Sequence, residues 1–164
     1  MFLRSCIALS LALSVASVVS AQQSKPSAQV AVVLRLYADY ACEAVVEPFC
    51  DAQHELVDQP RAVLARYFDD RLVRLWLTDR ARAVRTREVG NLDFSPIWDS
   101  QDATGSVVRI VPTADPTIVD AKVYHGSMSQ ESDLRYTLIK TTAGWRIHDI
   151  ARGTDWSLVA LLSK

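Results

Sequence analysis

The chain has 164 residues and carries 18 basic against 19 acidic side chains, a formal net charge of −1. No global field draws it to nucleic acid or a membrane surface, and the length suits one domain with its own core. Arginine outnumbers lysine 14 to 4, so the local placement of arginines matters more than their total.

The first 21 residues have the three-part layout of a secretory signal: Arg4, a short apolar run over 6–19, then small residues at Val19, Ser20 and Ala21. Cleavage after Ala21 leaves residues 22–164 as one soluble periplasmic domain. The apolar run is short for a membrane span. Cys6 opens the run with no small-residue cleavage motif before it, so no lipid anchor is expected. Export places Cys42 and Cys50 in an oxidising compartment, where they are expected to form a disulfide. Eight residues of continuous helix would hold their Cα atoms about 12 Å apart, and a disulfide needs less than about 7 Å. The chain must therefore turn between them, and Pro48 supplies a break.

Beyond a polar lead-in over 22–26, apolar residues at Val30, Val33, Leu34, Tyr37 and Ala41 predict an amphipathic helix from Ser27 to near Cys42. Asp51 can cap a short helix through Leu56. Pro60 fits the first turn of the next helix, with Val63, Leu64, Tyr67 and Phe68 as its apolar face. Asp69-Asp70 caps a restart that carries Leu72, Leu75, Trp76 and Ala83 on one stripe until Gly90-Asn91. The period then changes. Residues 107–111, 117–125, 134–142 and 145–151 read as strands bounded by turn signals, the last two joined by Ala143-Gly144. Val119, Ala121 and Val123 share one face and Asp120 and Lys122 the other, the pattern of an antiparallel sheet with one wet side. Asp155 can cap a last helical turn. The expected fold is α+β, with N-terminal helices packed on a curled sheet of about four strands that forms a cone; with the Gly144–Ile150 motif, that shape resembles domains like nuclear transport factor two or cystatin.

Three groups of residues carry the functional reading. Residues 90–102 alternate carboxylates with large apolar groups. Asp93, Trp98, Asp99, Gln101 and Asp102 could form a binding lip at the cone's mouth, or the acidic groups could brace a packed connector. Arg71, Arg74, Arg82 and Arg85 fall within roughly 80° around one helix. They form either a solvated face or a docking stripe for a partner. On the last strand, Trp145 and Ile147 should face the core, with Asp149 on that side and His148 outside. An inward Asp149 could serve as a general base or accept loop hydrogen bonds. His54, His125 and His148 have no partner at metal-ligand spacing, and no nucleophile elbow or phosphate loop is present, so no metal, cofactor or catalytic set is expected.

The motifs at 68–76, 92–102 and 144–150 resemble a family of exported bacterial proteins catalogued as domain of unknown function 3828. The resemblance runs from about Val32 to Leu162. That family has no established catalytic residues. Its members are envelope lipoproteins or soluble periplasmic proteins, some of which act as immunity proteins against antibacterial effectors. The resemblance implies a periplasmic, non-enzymatic binding protein, most simply an immunity protein that neutralises a secreted toxin by direct contact. The alternatives are a small-ligand binder or acid/base enzyme using the cone interior, and an accessory subunit of an envelope assembly.

Overall fold

The computed structural model describes residues 25–45, 54–126 and 130–164. The expected export signal and Cys50 lie outside them. Helix α1 (Ala28–Asp39) starts where Ser27 accepts from the Val30 N–H at 3.4 Å. Its buried positions Val30, Val33, Leu36 and Tyr37 recur at spacings of three and four, so one face is spent on the core. The α-helix gives way to a 3-10 turn, Ala41–Ala44, which carries Cys42. A second 3-10 turn, Leu56–Asp58, leads to the single-turn helix α2 (Arg61–Leu64). Pro60 is that helix's N-cap rather than its first residue, a shift of one position.

Helix α3 (Asp70–Thr86) is capped by Asp69, whose Oδ1 accepts from the Leu72 N–H at 2.7 Å. It buries Leu72, Val73, Trp76 and Asp79. It ends before the predicted Gly90-Asn91 stop, because Arg87 already turns left-handed at φ 59°. The remaining chain makes one five-stranded antiparallel sheet in sequence order: β1 (Val107–Pro112), β2 (Ile118–His125), β3 (Gln130–Thr141), β4 (Gly144–Arg152) and β5 (Trp156–Ser157). Strand β3 begins four residues before the predicted start. Ser132 pairs with Val123 and is buried there, so a polar run that reads as turn continues the ladder. A closing helix, α4 (Leu158–Leu162), is capped by Ser157, not Asp155; Asp155 instead pairs with Arg152.

The fold is thus α+β with a curled antiparallel sheet over the helices, and α1 lies against β1, β2 and β4. The space inside the curl is filled. Tyr136 donates to the Tyr37 hydroxyl at 2.8 Å, and Tyr37 donates to the Ile97 carbonyl at 2.6 Å. Trp98 stands edge-on to Tyr37 with ring centroids 5.2 Å apart. Burial raises both tyrosine hydroxyls well above their usual range. The two tyrosines satisfy their hydroxyls while contributing large apolar area, whereas the buried Trp98 indole N–H has no hydrogen-bond partner among the described residues.

Strand β4 contains a departure from strict alternation that redirects side chains. Leu138 pairs with Ile147 and Thr137 with Asp149, which leaves His148 as an extra residue, a β-bulge. The next core residue after Ile147 is therefore Ile150, and Asp149 leaves the core face on which simple alternation places it. Its carboxylate accepts from the Ser157 hydroxyl at 2.6 Å and the Val159 N–H at 3.0 Å. It tethers the start of α4, and the reading of an inward acid/base group is corrected.

Candidate functional site

The segment between α3 and β1 builds the most developed surface feature. It is anchored at its start by Asp79, a buried carboxylate inside α3. Asp79 accepts from the N–H groups of Asn91 at 3.0 Å and Leu92 at 3.3 Å, and from Arg82 at 2.7 Å. Burial pushes this carboxyl up, but the donors together hold it below the usual range. Gly90 permits the approach: a Cβ there would lie 2.8 Å from an Asp79 oxygen. The backbone then folds on itself, with Ser95 donating to the Ser100 carbonyl at 2.9 Å.

Asp99 anchors the far end. It adopts φ 52°, a conformation that Asp tolerates better than most residues. Its carboxylate accepts from the Ser132 hydroxyl at 2.6 Å, Arg152 at 2.7 Å and the Trp156 indole at 2.9 Å. The side chain is only 5% exposed. Ser132 in turn lies 3.1 Å from His125 Nε2. One aspartate thus joins the connector to β3, β4 and β5.

Glu43 anchors the middle from the 3-10 turn after α1. It accepts from the Leu56 N–H at 2.7 Å and the Ser95 hydroxyl at 2.6 Å. Burial raises its carboxyl above the usual range despite these two donors. Nothing in the sequence marks Glu43. Its role depends on residues 52 positions apart in the chain meeting in space.

Between the 3-10 turn and the connector lies an open cleft of about 420 Å³. Apolar groups from Val45, Val57, Leu92, Phe94 and Ala103 line it, together with the carboxylates of Glu43, Glu55, Asp93 and Asp102. Of the expected lip, Asp93, Gln101 and Asp102 stand exposed on this cleft. Gln101 donates to Asp93 at 3.3 Å, and the Thr104 N–H donates to Asp102 at 2.9 Å, holding that carboxyl below its usual range. Trp98 and Asp99 do not belong to the lip. Trp98 is 3% exposed and packs in the core, because the turn at 95–100 directs its apolar groups inward. Asp99 is consumed by its three donors.

The arginine set divides in the same way. Arg74 and Arg85 are exposed on α3. Arg82 is committed to Asp79, with Glu88 3.9 Å away. Arg71 is exposed but directed at His148, 3.3 Å from its Nε2. Arg82 therefore braces the connector while its side chain stays 30% exposed. Among the described residues, no group of three or more His, Cys, Asp or Glu is placed to hold a metal ion. Nor is any described helix long and apolar enough to cross a membrane.

No family model and no curated protein matches the chain. Among solved structures, the chain is similar to a phospholipid-binding protein from Ralstonia solanacearum, determined in complex with a phospholipid. The TM-score is 0.50 at 14% identity, covering 84% of this chain and 83% of that one. At that identity the likeness concerns the fold.

Proposed function

We propose that this protein is an exported, non-enzymatic binding protein that engages a protein partner through the lip of its open cleft, most simply as an immunity protein covering a secreted toxin. One observation carries the reading: the interior of the curl is packed with side chains, while the cleft between the 3-10 turn and the connector stays open. Its apolar lining and carboxylates suit a protruding basic side chain flanked by apolar neighbours. The braced backbone around it is preorganised, which lowers the ordering cost of binding. Steric cover of a toxin needs an interface of about 1,600 Å², much larger than the cleft itself. The exposed Arg74 and Arg85 supply a separate charged patch for contacts beyond it.

The test is capture. The tagged protein from the periplasm is mixed with the product of the adjacent gene, and a strain lacking it is exposed to competitors. Co-purification and sensitivity on deletion support immunity. No captured protein and unchanged sensitivity contradict it. A transport operon next door would instead favour an accessory subunit.

The second reading is a ligand-binding protein, favoured by the likeness to the phospholipid-binding fold. The filled interior weighs against it, since an acyl chain needs a continuous apolar cavity. Mass spectrometry of organic extracts from the purified protein decides. A stoichiometric lipid supports this reading, and its absence removes it. The pairing of Cys42 with Cys50 belongs to the proposal of export. Alkylation without reductant should find neither thiol reactive.

A further inference from the structure

The β4 bulge that turns Asp149 away also delivers His148 to the start of α3. The two elements are already tied there. Asp69 donates its N–H to the Ile147 carbonyl at 3.0 Å, and the Ile147 N–H donates to Tyr67 at 2.8 Å. His148 Nδ1 lies 2.5 Å from Asp69 Oδ2, and its Nε2 lies 3.3 Å from Arg71 Nη1.

Chemistry assigns the protons. The Asp69 carboxylate already accepts from Leu72 through its other oxygen and accepts again here, so Nδ1 carries the hydrogen. A guanidinium only donates, so Nε2 presents its lone pair. Both ring nitrogens are then used, in the arrangement that belongs to the Nδ1–H tautomer.

We infer that His148 is a proton-operated latch on Arg71: neutral, it holds the guanidinium against β4; protonated, it releases it. A proton on Nε2 would place an N–H opposite the Arg71 N–H and a positive charge beside another. Meanwhile the Asp69 contact would gain from opposite charge. The ring would stay on Asp69 and the arginine would leave.

The other charged groups of the surrounding elements have partners of their own or stand in solvent. On α1, which packs on β4, Asp39 accepts from the Tyr67 hydroxyl, and Arg35 donates to the Arg66 carbonyl at 3.5 Å. On β4, Arg146 donates to the Ala65 carbonyl at 3.0 Å and Asp149 accepts from the Val159 N–H in the first turn of α4. On β3, the bulge faces the neutral Thr137 and Leu138, and Arg135 pairs with Asp120 at 2.9 Å, while Lys140 is exposed nearer the hairpin. On α3, Asp70 and Arg74 are exposed. Residues 158–162 of α4 carry no titratable side chain, and Lys164 follows them. Asp69 and Arg71 are the two charged groups in direct contact with the ring. That release of Arg71 alters partner binding rests on the functional reading above; the latch itself does not.

The experiment is solution NMR on the full chain with nitrogen-15 in the imidazole and guanidinium groups. At pH 8 the His148 ring should show the Nδ1–H tautomer, the minor form in free histidine. On acidification the Arg71 side-chain resonances should shift with the same midpoint as the ring. In His148→Phe that shift should be lost. In Arg71→Ala, which keeps the cap intact, the ring should still titrate against Asp69. An Nε2–H ring, or Arg71 resonances that ignore the ring's titration, overturns the latch and leaves the binding reading untouched. Partner affinity that is absent at every pH overturns the binding reading and leaves the latch standing.

Discussion

The connector between α3 and β1 and the outer face of α3 both carry charge and use it in opposite ways. In the connector, Asp99 is sealed among three donors and Asp79 reaches in from the helix to hold its start. On the helix face, Arg74 and Arg85 extend into water. Even within the connector the split recurs, since Asp93 and Asp102 stand open on the cleft a few residues from Asp99. The identity of a charged residue therefore says little about its use. What decides is whether buried donors converge on it, because a buried carboxylate is tolerated only when its oxygens are satisfied.

The largest expected effect follows from removing the most heavily used brace. Asp99→Ala removes the acceptor shared by Ser132, Arg152 and Trp156, of which Arg152 keeps Asp155, and it should destabilise the fold by about 3 kcal/mol in urea unfolding. A loss like that of a surface change would break the comparison. Next comes Asp79→Ala, expected to cost about 2 kcal/mol by stranding the Asn91 and Leu92 N–H groups. Its pH dependence is a second check. The folded carboxyl titrates lower than the unfolded one. Its stabilisation is therefore complete above the unfolded value of about 3.9 and is lost as pH falls through the folded value. The Asp79→Ala difference should shrink in acid.

Glu43 has the opposite sign. Its folded carboxyl is raised, so its favourable contribution is present below the unfolded value of about 4.3 and lost as pH rises through the folded one. Glu43→Gln keeps an acceptor for Leu56 and avoids the buried charge. Relative to the native chain, its urea midpoint should improve from pH 4 to pH 8; a midpoint that worsens over that range would show that the charge itself is needed. The smallest effects belong to the helix face, where Arg74→Ala and Arg85→Ala should change stability by less than about 0.5 kcal/mol. If either approaches the Asp79 value, that face is part of the scaffold.

The physical reasons for what the sequence revealed are visible in particular residues. Alternation along β2 marked Val119, Ala121 and Val123 as buried, and they are. Asp69 was recognisable as a cap because capping is a local bond between neighbours. Long-range bonds left no such trace. The bulge at His148 follows from how β3 and β4 pair, not from β4 alone, and it reversed the assignment of Asp149. Trp98 looked like a lip residue because polar neighbours flank it, yet the local turn carries it inward onto Tyr37. Glu43 and Ser132 entered no reading of the site because their partners lie far away in sequence.

The division between bracing and open carboxylates within one connector is tested most directly by a matched pair. Asp99→Asn and Asp93→Asn each remove one charge and keep the shape, and Asn tolerates the backbone at position 99. Urea unfolding at pH 7 should show a clear loss of stability for Asp99→Asn and a midpoint near native for Asp93→Asn. Equal losses, or a larger loss at Asp93, would contradict the account.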